Sequence, residues 1–369
     1  MSESSSADLS PDAVDDLRES LVTWFQGAAR TLPWRSDPRP WRVWVSEIML
    51  QQTRVDTVIP YFDRFMERFP TVQELAESPL DDVLALWSGL GYYSRARHLP
   101  RGALDVMASH DGVIPDTVEG LRSLTGIGQY TAGAIASIAF GRPAPILDGN
   151  VIRVLSRILD LEGDVGEAAT QRTLWKWAET LVDPANPSHF NQGMMELGAL
   201  ICSPRDPACD GCPWSARCRA RAHGTIAERP VKTRKTRVRH VKMVTAVVRD
   251  TDGALLLARR PESGLFGGMW ETPAGERKGR SPSPAALVKE QMGLAVEVLG
   301  GPSQVKHVLS HRTLDISVFA CRIDDASPAV SPTGYTDARW LQPAELEAVG
   351  IGTLTRKVLA AAEAACPSD

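Results

Sequence analysis

Four of the six cysteines fall within a single short stretch, in the pattern Cys202-x6-Cys209-x2-Cys212-x5-Cys218. Four thiols this close in sequence have one common purpose, which is to converge on one centre. The Ser- and Asp-rich N-terminus, Met1 to Asp16, has no basic patch followed by an apolar run. It reads as a disordered tail rather than a secretory leader, and the chain is expected in the cytoplasm. Disulfides are disfavoured there, so the cluster points to a metal centre. Tetrahedral zinc and a [4Fe–4S] cluster both accept four cysteines. Structural zinc usually takes two Cys-x2-4-Cys pairs, and the first gap of six residues fits that poorly. Cys321 and Cys366 stand alone.

A length of 369 residues suggests two domains. Up to about residue 220 the apolar spacing is helical. Val58, Tyr61, Phe62, Phe65, Met66 and Phe69 repeat on one face and stop at Pro70, and Val151, Val154, Leu155 and Ile158 do the same after Asp148-Gly149-Asn150. Beyond residue 240 the pattern changes. Met243 to Arg249 and Ala254 to Ala258 flank Asp252-Gly253 as a hairpin, and Ser317 to Ile323 reads as a strand. Ala285 to Met292 and Leu354 to Ala364 read as helices. The expected organisation is a tail over 1–16, an all-α domain over 17–225 carrying the cysteine module at 202–218, a basic linker over 226–240, and an α+β domain over 241–369. No run of about 18 apolar residues suggests a membrane span. The net charge of −4 hides a local excess, because Arg219 to Lys242 holds nine Lys or Arg and one acid, Glu228. Such a stretch can contact phosphates in an otherwise acidic chain.

Two carboxylates are the candidates for acid–base chemistry. Glu47 lies in the apolar helical run Trp44-Val45-Ser46-Glu47-Ile48-Met49-Leu50, where its charged form is disfavoured and it can serve as an acid near neutral pH. Asp148 precedes a helix, a position that caps the helix and keeps a carboxylate ionised. Gly126-Ile127-Gly128 has the form of a tight turn opening a helix, whose free N–H groups bind phosphate without reading sequence.

These motifs, with the cysteine spacing, resemble the endonuclease III superfamily of helix–hairpin–helix DNA glycosylases, and within it the adenine-specific, MutY-type branch. The resemblance runs from about residue 20 to 365. It implies a [4Fe–4S] cluster on Cys202, Cys209, Cys212 and Cys218, with Arg205 in the first gap as a phosphate contact. It implies that Glu47 protonates adenine, that Asp148 stabilises the cation at the sugar C1′, and that Asn150 positions it. Members that also cut the backbone have a lysine where this chain has Tyr130, so a monofunctional glycosylase is expected. Gln51, Gln52 and Thr53 match the segment that enters the base stack. Leu90 and Tyr92 fall in Gly-Leu-Gly-Tyr-Tyr, with Gln52 and Tyr92 as wedges. Gly126 and Gly128 hold the hairpin, Arg35 lies near the extruded adenine, and Gln192 and Met195 line its pocket. The expected partner is double-stranded DNA carrying adenine opposite 8-oxoguanine or guanine, bound by a monomer.

The second half resembles a Nudix domain through Gly264 to Pro273 and Gly275. A working Nudix hydrolase needs several acidic ligands on the next helix, and here its only charges are Lys289 and Glu290. A recognition role remains. His307-Val308-Leu309-Ser310-His311 resembles the Phe-Ser-His turn that reads 8-oxoguanine, with Ser310 and His311 as donors and acceptors. Leu309 departs from the Phe.

Overall fold

The computed structural model describes residues 10–233, 238–277, 283–309 and 311–365. The chain forms two compact units, Met1–Ala76 with Arg101–Arg234, and Glu77–Pro100 with Lys235–Asp369. The segment 77–100, helical in sequence, therefore packs with the sheet-bearing half.

Every regular element among the described residues of the first unit is a helix. Its first helix, Pro11–Ala28, begins inside the stretch expected to be a tail. Ser10 accepts a hydrogen bond from the Ala13 N–H and Pro11 opens the first turn, two features that start a helix where Ser and Asp content alone suggests disorder. Residues 1–9 lie outside the described residues. Leu17, Leu21 and Phe25 bury one face of this helix against Pro187–Leu200. Trp214, from the midst of the cysteine module, is 2% exposed, and its indole N–H donates to the Leu17 carbonyl at 2.9 Å. One large side chain thus fastens the cysteine loop to the helical core.

The basic stretch is anchored rather than free over its first part. Arg229 is 6% exposed and pairs with Asp160 at 2.8 Å. Val165 N–H donates to the Val231 carbonyl at 3.0 Å, and Thr233 N–H to Asp164 at 2.9 Å. Arg229 is therefore committed inside the fold and not available to phosphates.

The second unit holds a seven-stranded sheet: β1 (Arg239–Arg249), β2 (Leu255–Arg259), β3 (Trp270–Glu271), β4 (Ala274–Glu276), β5 (Glu297–Val308), β6 (Arg312–Arg322) and β7 (Asp337–Leu341). The order is β3-β2-β1-β6-β5, with β4 on β1 and β7 on β2. β1 and β6 run parallel over their full length, so β1 is central and covered on both faces. Val241 and Val247 join Val358 and Leu359 of the helix Thr353–Ala365. Ala246 and Val248 face Val288 and Met292 of the helix Pro284–Met292 instead. Burial on both faces suits the near-continuous apolar sequence of β1 from Met243 to Val248. Packed on this unit, Ser88 donates to the Ile351 carbonyl, Arg97 to the Gly267 carbonyl at 2.6 Å, and Arg259 pairs with Asp81 at 3.1 Å. Among the described residues no helix is long and apolar enough to cross a membrane.

Replacing Trp214 by Ala should cost about 3–5 kcal/mol, the usual loss for a buried Trp, read as a lower denaturation midpoint. A loss below about 1 kcal/mol would mean that the cysteine loop does not depend on the helical core.

Candidate active site

The helices Pro40–Leu50, Gln129–Phe140, Gly149–Ile158 and Pro187–Leu200 wall a cavity of about 610 Å³ in the first unit, lined by Arg35, Glu47, Gln51, Gln52, Thr53, Gly128, Tyr130, Asp148, Asn150, Gln192 and Met195 among others. Eleven residues singled out from sequence thus meet on one surface, although they span much of the unit.

Glu47 is 4% exposed. Burial pushes its carboxyl up to about 7 and the charge of Asp148 adds to the rise, while a hydrogen bond from Tyr130 and the charge of Arg35 oppose it. The Tyr130 hydroxyl donates to Glu47 Oε2 at 2.7 Å and lies 3.1 Å from Met195 Sδ. Burial and the two neighbouring carboxylates push the Tyr130 phenol well above its ordinary range, so it stays protonated and can donate to Glu47.

Asp148 is both a helix cap and a wall of the cavity. Its Oδ1 accepts from Val151 N–H at 2.7 Å and its Oδ2 from the Asn150 side chain at 3.1 Å. Sequence placement suggested a carboxylate held ionised by the helix N-terminus. Burial instead raises its pKa, and the Val151 and Asn150 hydrogen bonds and the Arg153 charge only partly offset that rise. Enclosure outweighs the cap.

Arg153 went unnoticed in the sequence. It donates to Asn150 Oδ1 at 2.8 Å, to the Gly198 carbonyl at 2.6 Å and to the Cys202 carbonyl at 2.7 Å, so one guanidinium ties the Asp148 turn to the first cysteine. A Cβ on Gly198 would lie 2.6 Å from Asn150 Cβ; this glycine lets the two helices close on each other. Glu196 was also missed as a site residue. It is 1% exposed and receives two hydrogen bonds each from the side chains of Arg30 (both 2.8 Å) and Arg35 (3.2 and 2.9 Å). Burial pushes Glu196 up, but the two arginines override it and hold the carboxylate at about 2. Arg35 also donates to Gln192 at 3.0 Å. The signal was present, since Glu196 is a lone carboxyl in an apolar helical run, as Glu47 is.

Gln51 donates to Thr131 at 3.3 Å, and Thr53 to the Gln51 carbonyl at 3.3 Å. Gln52 is exposed with a left-handed backbone, φ 56°. In the hairpin, Gly126 has φ 85°. Gly128 has ordinary φ but nothing within 4 Å of a notional Cβ, leaving open approach to the helix start.

The four cysteines line one small cavity with Arg157 and Arg221. Burial, then the nearness of the other three sulfurs, pushes Cys212 up to about 11. Arg157, 3% exposed, donates to Cys202 Sγ at 3.3 Å and to the Ser203 carbonyl at 2.7 Å. Among the described residues no three His, Cys, Asp or Glu side chains form a grip for a single ion. Arg205 is exposed.

The remaining candidates lie in the second unit. Tyr92 is 45% exposed and His311 is exposed, and both line a cleft of about 410 Å³ with Tyr93, Phe266, His307 and Leu309. Leu90 departs from expectation: its side chain is 6% exposed and belongs to the interior. Ser310 lies outside the described residues. Leu309 packs against the core, whereas Val308 is 67% exposed. Leu287, Val288 and Met292 bury the face of the helix Pro284–Met292 that meets the sheet.

Residues 45–180 match the family of HhH-GPD superfamily base excision DNA repair proteins, and residues 244–361 match the NUDIX domain. Among solved structures, a thermostable thymine-DNA glycosylase is 27% identical with a TM-score of 0.52, covering 58% of this chain and all of that one. An endonuclease III in a non-covalent DNA complex is 22% identical with a TM-score of 0.50, covering 59% of this chain and 99% of its own, and shares the fold. Fold and matches define a helical base-excision repair protein joined to a Nudix-like domain. The adenine DNA glycosylase of Rattus norvegicus is 38% identical over 94% of this chain and 77% of its own length. The chain belongs to the adenine DNA glycosylase family.

Tyr130→Phe removes a hydrogen bond that favours the ionised form of Glu47. The Glu47 pKa should therefore rise, and the alkaline limb of single-turnover adenine release should move to higher pH. A limb that stays or moves down would separate Tyr130 from Glu47's titration.

Proposed function

We propose that the chain is a monofunctional glycosylase that hydrolyses the N-glycosidic bond of adenine mispaired with 8-oxoguanine or guanine in double-stranded DNA. The observation that carries this reading is Glu47: a buried carboxyl with its pKa pushed to about 7, on the wall of a cavity that Asp148 shares. Cleaving a purine N-glycosidic bond needs a protonated leaving base and a stabilised oxocarbenium ion, and two carboxyls in different environments divide that work.

In the proposed sequence Gln52 and Tyr92 hold the opened stack while adenine leaves the duplex. Arg35, fixed by Glu196 and Gln192, bounds the adenine pocket. Glu47 gives its proton to the ring and the C1′–N bond breaks. Asp148, oriented by Asn150 and by the Val151 N–H, faces the cationic sugar, and water adds at C1′. Tyr130 offers no amine, so no Schiff base forms there. Gly126 and Gly128 present the helix start at Gln129 to a phosphate. Ser310 and His311 read the lesion, and Leu309, turned to the core, leaves that task to polar groups.

Cys202, Cys209, Cys212 and Cys218 would hold a [4Fe–4S] cluster; a cavity ringed by four sulfurs suits a multi-atom group. When bound, the cluster supplies a structural cross-link that shapes the loop carrying Arg205 toward DNA. No disulfide joins the five described cysteines, which suits a reducing cytoplasm; the protein would act there as a monomer.

The test is single-turnover adenine release from a duplex with one A opposite 8-oxoguanine, beside an A·T control. Release from the lesion duplex alone is expected, and release from neither by protein loaded with iron–sulfur would overturn the reading. Asp148→Asn should abolish release while leaving mismatch binding nearly intact; equal loss of both would remove Asp148 from the chemistry. Borohydride should trap no covalent complex with the native chain, whereas a trapped species would restore the lyase alternative.

A further inference from the structure

The loop that carries Tyr92 is held in an uncommon shape. Gly89, Gly91 and Tyr92 have φ of 96°, 76° and 49°. The two glycines adopt such angles freely, but a tyrosine does so at a cost that the surroundings must offset. Tyr92 nevertheless remains half-exposed, so burial of its own ring does not set its conformation.

Arg95 supplies the constraint. Its side chain is buried, 7% exposed, at the second residue of the helix Ser94–Ser109. A cation there opposes the helix dipole, and burial adds a desolvation penalty, so helix stability does not account for it. Burial lowers its pKa to about 10, which leaves it charged at neutral pH. Its donors converge on the loop's carbonyls: Gly91 at 3.0 Å, Tyr92 at 3.4 Å and Leu90 at 3.5 Å. The guanidinium lies 5.4 Å from the centre of the Trp87 ring and 5.4 Å from that of Tyr92. Trp87, fully buried, closes the arrangement from below by donating its indole N–H to the Gly91 carbonyl at 3.1 Å. Three successive carbonyls and the ring itself are thus gripped by one planar fork. A lysine cannot reproduce that, because its donors spread from a single point and it lacks a flat face.

We propose that Arg95 is the positioning residue for Tyr92, holding the loop so that the ring enters the base stack without first having to be ordered. This rests on the proposed role of Tyr92 as a wedge. Arg95, 7% exposed, would act through the loop rather than on the DNA itself.

The test uses the full-length, cluster-loaded chain carrying Asp148→Asn to stop excision, bound to a duplex with 2-aminopurine in the target position opposite 8-oxoguanine. Its fluorescence rise on binding reports unstacking of the target base. Tyr92→Ala should cut the extent of unstacking about tenfold, the worth of one lost base–aromatic contact, and Arg95→Met should cut it comparably with the melting temperature little changed. Combined, the two should be no worse than Tyr92→Ala alone, since both act on one interaction. Arg95→Lys keeps charge and stem, and carries the same expectation should the Met variant fail to fold. An undiminished rise in the Arg95 variants, or losses that multiply in the double variant, overturns the assignment. An undiminished rise in Tyr92→Ala overturns the wedge itself, and the assignment with it.

Discussion

Glu47 sits within the helix Pro40–Leu50, between residues that are themselves buried. An ionised carboxyl withdrawn from water in this way loses several kcal/mol of hydration unless it is paired or takes up a proton. Among the described residues its side-chain partner is one neutral donor, the Tyr130 hydroxyl at 2.7 Å, with no cation at hydrogen-bonding distance. The proton is the remaining remedy, and it leaves the group poised near pH 7. The helix Gln129–Phe140 has to bring Tyr130 to this point, and the turn at Gly126 sets where that helix begins.

The contrast with Glu196 shows what a cation would have done. Both carboxyls are almost wholly enclosed, and both line the same cavity. Two guanidiniums hold Glu196 at about 2, while one hydroxyl leaves Glu47 at about 7. The arginines are thus partitioned. Arg30 and Arg35 are spent on a permanently ionised wall, Arg153 on the Asp148 turn and Arg157 on the cysteine loop. At Asp148 burial raises the pKa, while the Val151 and Asn150 hydrogen bonds and the Arg153 charge pull against it. Differences of environment among like side chains are what allow one cavity to hold an acid and a counter-charge together.

Glu47, Asp148, Tyr130 and the four cysteines were legible because each sits in a local pattern: a carboxyl in an apolar run, a cap before a helix, a turn with two glycines, a short thiol spacing. Glu196 carries the same local pattern as Glu47 and could have been found; Arg30 and Arg153 act through contacts that no spacing encodes, Arg30 reaching Glu196 across 166 residues of chain. The sheet was half legible for a similar reason. β1 announces itself through β-branched residues, but β5 contains Gly300-Gly301-Pro302, which reads as a turn. The strand accommodates it through a register irregularity between Leu299 and Ser303. The N-terminal helix was concealed by Ser and Asp residues that serve as its cap and surface, and the packing of 77–100 with the second unit is invisible to periodicity.

The most direct test is titration of the Glu47 carboxyl itself. With carbon-13 in the glutamate carboxyl groups, the Glu47→Gln difference spectrum identifies its resonance, which can be followed against pH in the native chain. The account predicts an inflection near 7. An inflection in the ordinary glutamate range, about 4, would mean that Glu47 is ionised at neutral pH and cannot be the acid.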